Sequence, residues 1–122
     1  MKIFTSCYAN VHKFDRSRYT LVRVSASKPQ WLSDVFIPDV PVLFPHWDLI
    51  NAWKRGEISW DEYTERYYHQ LNMVNPADVY NQLETISKGK DVILLCWEGY
   101  GKECHRHLIG PWLGVETKEL IL

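Results

Sequence analysis

The chain has 122 residues, of which 46% are hydrophobic and 24% are charged, and its formal net charge is −1. This length predicts a single domain over residues 1–122, and the composition excludes disordered, collagen-like and coiled-coil classes. No segment approaches the about 20 apolar residues of a membrane span, and the N-terminal residues lack the pattern of a signal peptide. Three cysteines are too few for a disulfide framework, so we expect a protein of the reducing cytoplasm.

Apolar and alternating runs predict four strands. The first covers residues 2–7, the second 19–25 and the last 116–122. The run 91–96 gives the strongest signal, because a continuous apolar run is typical of a central parallel strand that is buried on both faces. Residues 9–18 are polar and predict a loop, and four prolines break regular structure over residues 28–45.

Helical periodicity predicts three helices between the second and third strands. The first covers residues 46–55. The second begins after Ser59, which forms a predicted capping box with Glu62. Apolar residues at helical spacing predict its buried face: Trp60, Tyr63, Tyr67 and Leu71. The third starts at Asn75-Pro76 and ends at Gly89.

A fourth helix follows the strongest strand. It begins near Cys104, and Pro111 should kink or restart it. Strands that alternate with helices around a buried strand predict the α/β fold class. We expect a single three-layer domain, with a mostly parallel sheet flanked by helices.

Chemically active residues lie on both sides of the loop after the strongest strand. Cys96 ends the strand and Glu98 follows it, whereas Cys104, His105 and Arg106 open the next helix. Because ligands bind beyond the carboxyl ends of parallel strands, we predict one pocket with these five residues as its catalytic candidates. The helix terminus and Arg106 favour a Cys104 thiolate. The planar fork of Arg106 suits an anion, His105 can shuttle a proton near neutral pH, and Glu98 can act as a general base.

Each of these residues also has a structural interpretation. Cys96 can be a small buried hydrophobe, and Arg106 can pair with Glu98 to hold the loop against the helix. Replacing Arg106 would then disrupt folding, whereas an Arg106 that binds a ligand could be replaced with little change in melting temperature. Zinc suits Cys and His ligands. The spacing matches no structural zinc motif, and adjacent Cys104 and His105 point in different directions on a helix, so we expect no metal and no cofactor.

Candidate ligand-binding residues cluster in the N-terminal part of the chain and beside Cys96. Residues 1–30 carry six basic residues against one acidic residue, a balance that can attract an anion. Aromatic rings in the same region can stack on a base. The candidates for ligand binding are Tyr8, Arg23, Ser25, Lys28, Trp31 and Trp97.

The chain resembles the domain of unknown function 488 family over nearly its whole length. The resemblance rests on the strand ending in Cys96-Trp97-Glu98 followed by Cys104-His105-Arg106-His107, with Tyr8-Ala9-Asn10 after the first strand. The passage Trp53-Lys54-Arg55-Gly56-Glu57-Ile58, with Tyr63 and Tyr67, resembles a shorter, Tyr-rich branch. The resemblance implies an α/β fold and a pocket around the Cys-x-Glu and Cys-His-Arg residues, but no reaction. Trp97 replaces a residue that is commonly small in the family, and Gly110-Pro111 interrupts the last helix.

Three functions fit these observations. The first is an enzyme, a hydrolase or group transferase, that acts on a small anionic or nucleotide-like substrate. The second is a non-catalytic module that binds a nucleotide or a nucleic acid through Arg16, Arg18, Arg23 and Lys28. The third is a thiol redox sensor in which Cys96 and Cys104 form a disulfide on oxidation.

Overall fold

Four parallel strands form the central sheet of the computed structural model, which describes residues 1–120. The strands are β1 (Ile3–Cys7), β2 (Tyr19–Arg23), β3 (Asp91–Cys96) and β4 (Thr117–Glu119), and their order in the sheet is β2-β3-β1-β4. All pairs are parallel, which confirms the predicted fold class. The last strand is shorter than predicted. Residues 121–122 of that prediction lie outside the described residues.

The four predicted helices are α1 (Trp47–Lys54), α2 (Trp60–Leu71), α3 (Pro76–Ser87) and α4 (Arg106–Leu113). The Ser59 hydroxyl accepts a hydrogen bond from the Glu62 backbone N–H at 3.1 Å, which is one half of the predicted capping box, whereas the Glu62 carboxylate pairs with Arg66. Helix α3 ends at Ser87, two residues before the predicted Gly89, because Lys88 already adopts a left-handed conformation with φ of 52°. Helix α4 runs through Pro111 without a restart.

The two faces of the sheet are covered differently. One face packs against α1–α4, with a core that includes Val22, Val92 and Leu94. The other face holds Ile93 and Leu95 and is covered by loops and short 3-10 helices, at Tyr8–Lys13 and Gln30–Leu32. The segment 9–18, predicted as a loop, therefore contains a 3-10 helix that supplies part of this second layer. Within residues 1–120, no helix has both the length and the apolar character needed to cross a bilayer.

The carboxyl ends of β1 and β3 form a switch point of the sheet, and the pocket nearby is lined by residues that follow β2 and β3. These strands are neighbours, and Cys7 pairs in register with Cys96. The chain after β1 leads to β2 on one side of the sheet, whereas the chain after β3 leads through α4 to β4 on the other side. Adjacent strands whose connections diverge in this way leave space above their carboxyl ends, where α/β proteins bind ligands.

Candidate functional site

The end of β3 and the residues before α4 bring two sulfurs and an imidazole together. Cys96 ends β3, and Cys104 lies two residues before α4. The two form a disulfide with Cα atoms 7.6 Å apart. The Nδ1 atom of His105 lies 3.6 Å from the Cys104 Sγ atom. All three side chains are buried. The sequence predicts no disulfide framework, and this single bond joins the two residues named for a redox pair.

Helix α4 begins two residues later than predicted, and this explains how adjacent side chains converge. Cys104 and His105 precede the first helical residue, so the angular spacing of a helix does not separate them. The prediction that these neighbours point in different directions is therefore wrong. Their donor atoms meet on one side of the chain.

His105 is held as a neutral imidazole. Its Nε2 lies 2.7 Å from the Val24 carbonyl oxygen, which can only accept, so Nε2 carries the proton and Nδ1 keeps its lone pair. Burial and then the charges of Arg106 and His107 lower the pKa of His105 to about 4, in spite of the opposing Val24 hydrogen bond. The imidazole is thus an acceptor at neutral pH, facing Cys104, and does not titrate near neutrality as the sequence interpretation assumed.

Arg106 is fully buried, and protein acceptors take its N–H groups. Nε and Nη2 donate to the two carboxylate oxygens of Glu119 at 3.1 and 2.7 Å. Nη1 donates to the Cys96 Sγ atom at 3.1 Å and to the Glu98 carbonyl oxygen at 2.7 Å. The remaining Nη2 hydrogen is directed to the Gly99 carbonyl oxygen at 3.3 Å. All five donors of the guanidinium are therefore used.

This arrangement changes the predicted roles of Arg106. It has no free donor for a ligand anion, and it contacts the sulfur of Cys96 rather than that of Cys104. Its carboxylate partner is Glu119 on β4, not the side chain of Glu98. Arg106 is a positioning residue that ties the loop after β3 to the edge strand.

Glu119 connects this network to β1. Its Oε1 accepts a hydrogen bond from the Thr5 hydroxyl at 2.5 Å as well as from Arg106. Burial alone would raise the pKa of this carboxyl, but the hydrogen bonds from Arg106 and Thr5 and the positive charge of Arg106 outweigh burial and lower the pKa. The sequence gives no signal for this partner, because the β1–β4 pairing is what brings Glu119 next to Arg106.

A pocket of about 360 Å³ opens beside these residues. Four of the side chains that line it were predicted to be catalytic, and they form what we call the reactive cluster: Cys96, Glu98, Cys104 and His105. The Glu98 Oε2 atom lies 3.9 Å from the Cys96 Sγ atom. Four of the five predicted catalytic residues therefore share one concave surface, and Arg106 lies behind it.

Five rings line the same pocket and form what we call the aromatic wall: Trp47, Trp53, Trp60, Tyr63 and Trp97. Trp60 stacks on Tyr63 with centroids 4.7 Å apart, and Trp53 lies 5.3 Å from Trp60. Burial and then the negative charge of Glu98 raise the pKa of Tyr63, so its hydroxyl stays protonated next to that carboxylate. The sequence pattern assigned Trp60 and Tyr63 to the buried face of a helix, and neither Trp47 nor Trp53 was predicted to bind a ligand. The available signal was the density of tryptophan in residues 47–60.

The pocket carries little positive charge. Its charged lining side chains are Lys54, Glu98 and Glu103, one cation against two carboxylates. The basic excess of residues 1–30 does not reach the lining. This pocket thus offers a better surface to a planar ring than to a bare anion.

The six predicted ligand-binding residues divide into three groups. Ser25 and Trp97 line the pocket. Tyr8 lies behind them, with its ring 5.6 Å from that of Trp97 and its hydroxyl 2.5 Å from the Ser25 Oγ atom. Outside the lining are Arg23, Lys28 and Trp31, of which Trp31 is 57% exposed.

The basic residues predicted for nucleic-acid binding contact the protein itself. Arg23 forms an ion pair with Asp39 at 2.7 Å and also donates to two backbone carbonyls, and Lys28 donates to the Val35 carbonyl. Neither lines the pocket. Arg16 donates to a backbone carbonyl, and the Arg18 guanidinium lies 5.1 Å from the ring centroid of Tyr19. A nucleic-acid partner stays a prediction that no observation favours.

Comparison with protein families gives one match. A family model described as "DUF488-N3a: Active DUF488-N3 subclade" matches residues 6–117. The match includes all of the reactive cluster and the aromatic wall. No curated protein and no solved structure matches the chain.

Proposed function

The chain belongs to the DUF488-N3a family, and on that premise we propose that it is an enzyme that performs hydrolysis or group transfer on a small ring-bearing, nucleoside-like molecule. One observation carries the proposal: a single pocket combines the reactive cluster with the aromatic wall at the carboxyl end of a parallel sheet.

The reduced form of the reactive cluster suits nucleophilic catalysis. The Cys104 thiol can donate to the unprotonated His105 Nδ1 atom, which lies 3.6 Å away and accepts the proton as the sulfur attacks. The sulfur attacks the substrate and forms a covalent intermediate as the bond to the leaving group breaks, and His105 passes its proton to that leaving group. Glu98 lines the same pocket and can take a proton from the water that then releases the intermediate and restores the thiol. The disulfide must be reduced first, because the thiolate is the nucleophile.

The aromatic wall favours binding of a planar ligand over binding of a free anion. Rings such as Trp53 and Trp60 offer π-faces on which a base can stack, a contact worth about 1–3 kcal/mol per base. Lys54 is the one cationic side chain in the lining. A phosphate on the ligand would therefore add less to binding than the ring does.

Tryptophan fluorescence tests the ligand class. Reduced protein titrated with nucleosides should show saturable quenching, and inorganic phosphate alone should show none. Trp53→Phe should weaken the quenching by nucleosides. Trp31→Phe is the matched control, because Trp31 is exposed and outside the pocket. Phosphate binding as tight as nucleoside binding, or loss of the signal in the Trp31 variant alone, would contradict the proposed ligand.

Turnover of a bound ligand tests the chemistry. Cys104→Ser and Glu98→Gln should each lower turnover by about 100-fold or more while binding persists, since each removes a group that acts on the reacting atoms. Cys7→Ser is the matched control, because Cys7 is buried and does not line the pocket. Wild-type turnover in Cys104→Ser would exclude Cys104 as the nucleophile.

A thiol redox sensor is the second candidate, and the disulfide between Cys96 and Cys104 is the observation that favours it. Two thiols would give up two protons and two electrons to a peroxide, which becomes water. Mild peroxide should then lower the mass of reduced protein by two hydrogens, and Cys104→Ser should abolish the loss. Oxidation that leaves the nucleoside-binding pocket and turnover unchanged would speak against a regulatory role.

A further inference from the structure

Three buried donor atoms in the pocket lining point to a ligand other than the substrate. One sulfur each from Cys96 and Cys104 and one ring nitrogen of His105 lie within 4.8 Å of one another. Thiolate and imidazole are the ligands that favour zinc and related soft or borderline ions, whereas magnesium and calcium prefer oxygen. We propose that the reduced protein binds one such divalent ion, with Zn²⁺ as the model, through Cys96, Cys104 and His105.

The surroundings of His105 suit this role. A metal-binding imidazole commonly donates its other N–H to a carbonyl or carboxylate, which fixes the tautomer and the ring orientation. The Val24 carbonyl accepts from Nε2 at 2.7 Å, which leaves Nδ1 on the side of Cys104. The ring is also held by Tyr67, whose centroid lies 5.5 Å away. The imidazole is therefore oriented before any ion arrives.

The surroundings of the Cys96 and Cys104 sulfurs also suit metal binding. Two thiolates at buried positions need compensating positive charge, which a divalent ion supplies. Arg106 adds a hydrogen bond to the Cys96 Sγ atom at 3.1 Å, and its own charge is balanced by Glu119. The Cα atoms of Cys96 and Cys104 are 7.6 Å apart, wider than the about 4.4–6.8 Å usual for a disulfide. The backbone thus leaves more room between these residues than a direct bond requires.

The fourth position of the ion would face the pocket, because all three donors belong to its lining. Three protein ligands with an open fourth position are typical of catalytic rather than structural zinc sites. Glu98 lines the same pocket within 3.9 Å of the Cys96 sulfur, close enough to contact whatever occupies that position. The inference does not rest on the proposed enzyme. It gives Cys104 a second role that excludes its role as nucleophile while the ion is bound.

Cobalt titration tests the site directly. Protein reduced with a phosphine under anaerobic conditions is titrated with Co²⁺, and free thiols are counted beforehand. We expect one ion per chain, a thiolate-to-cobalt charge-transfer absorption, and displacement by Zn²⁺. Fully reduced wild-type protein that binds no ion, or binds it without the charge-transfer band, would overturn the proposal. A pair that cannot be reduced in the folded protein would overturn it too.

Variants assign the ligands. Cys96→Ser, Cys104→Ser and His105→Gln should each lower the cobalt affinity at least about tenfold, and the two serine variants should also weaken the charge-transfer band. Cys7→Ser and His107→Gln are matched controls, since neither residue belongs to the donor group. Loss of binding in the controls but not in the ligand variants would refute this assignment. The nucleoside titration is independent, so failure of the metal site and failure of the proposed function are distinguishable.

Discussion

β1 and β3 lie side by side and each ends in a buried cysteine, yet the two strand ends differ in chemistry. Cys7 and Cys96 are paired in register. The polar contact of Cys7 is the Asn10 amide at 3.7 Å, whereas Cys96 is in contact with the Arg106 guanidinium and bonded to Cys104. The chain that follows makes the difference: a 3-10 helix follows β1 at once, and a loop over residues 97–105 precedes α4. A strand end becomes a candidate site through the segment that folds over it.

Arg106→Ala should cause the largest loss of stability, and it tests whether the Cys96 end has structural support that the Cys7 end lacks. Removing a buried charge partner leaves the Glu119 carboxylate and the carbonyl of Glu98 without their donor, which should cost about 3–5 kcal/mol of unfolding free energy. Asn10→Ala beside Cys7 should cost about 1 kcal/mol. Urea denaturation of both variants measures the difference. Equal losses would show that the Cys96 end has no special structural support.

Glu119→Gln tests the support of the Cys96 end further, because its effect on stability should depend on pH. The variant should lose about 1.5–3 kcal/mol at neutral pH, the range of a hydrogen bond to a charged group. The folded-state pKa of Glu119 is lowered, so its contribution to stability is present above the ordinary carboxyl pKa and is lost as pH falls through the folded-state value. The stability difference between wild type and variant should therefore shrink in acid. A difference that stays constant, or grows, would contradict the Arg106–Glu119 pairing.

Tyr67→Phe tests the buried hydrogen bond of the tyrosine whose ring packs against His105. The Tyr67 hydroxyl donates to the Leu43 carbonyl at 2.6 Å inside the core, so its removal leaves a buried acceptor unpaired and should cost about 1–3 kcal/mol. Tyr68→Phe is the matched control, because its bond to the Leu108 carbonyl, at 3.0 Å, is only partly buried. Thermal unfolding should show a larger fall in Tm for Tyr67→Phe. A larger fall in Tm for Tyr68→Phe would show that the hydrogen bond from Tyr67 to Leu43 is not the stronger of the two.

Local patterns predicted most of the fold. The apolar run that became β3, the N-cap at Ser59 and the parallel sheet all follow from periodicity and backbone chemistry over short stretches. The rule that ligands bind beyond the carboxyl ends of parallel strands brought Cys96 and His105 into one predicted pocket. These features depend on neighbouring residues or on one fold-level rule, so a single sequence contains enough information.

Contacts between residues far apart in the chain could not be predicted from the sequence. Glu119 becomes the partner of Arg106 only because β4 adds to the edge next to β1, and nothing local to either residue shows that order. The aromatic wall could not be predicted for the same reason, because α1 and α2 bring Trp53 and Trp60 to a pocket that the end of β3 also lines. The anion-binding role given to Arg106 failed for the same reason: a guanidinium is free to bind a ligand only if the fold leaves its donors unused.

Site-resolved alkylation tests most directly whether the end of β3 is the reactive one. Native protein, fully reduced, is treated briefly with iodoacetamide, and each cysteine is quantified by mass spectrometry. Both residues are buried, but Cys104 should react at least about tenfold faster than Cys7, because its sulfur lines the pocket beside an imidazole acceptor and that of Cys7 does not. Saturating nucleoside should slow that reaction. Equal rates at Cys104 and Cys7, or faster reaction of Cys7, would contradict the assignment of this pocket as the functional site.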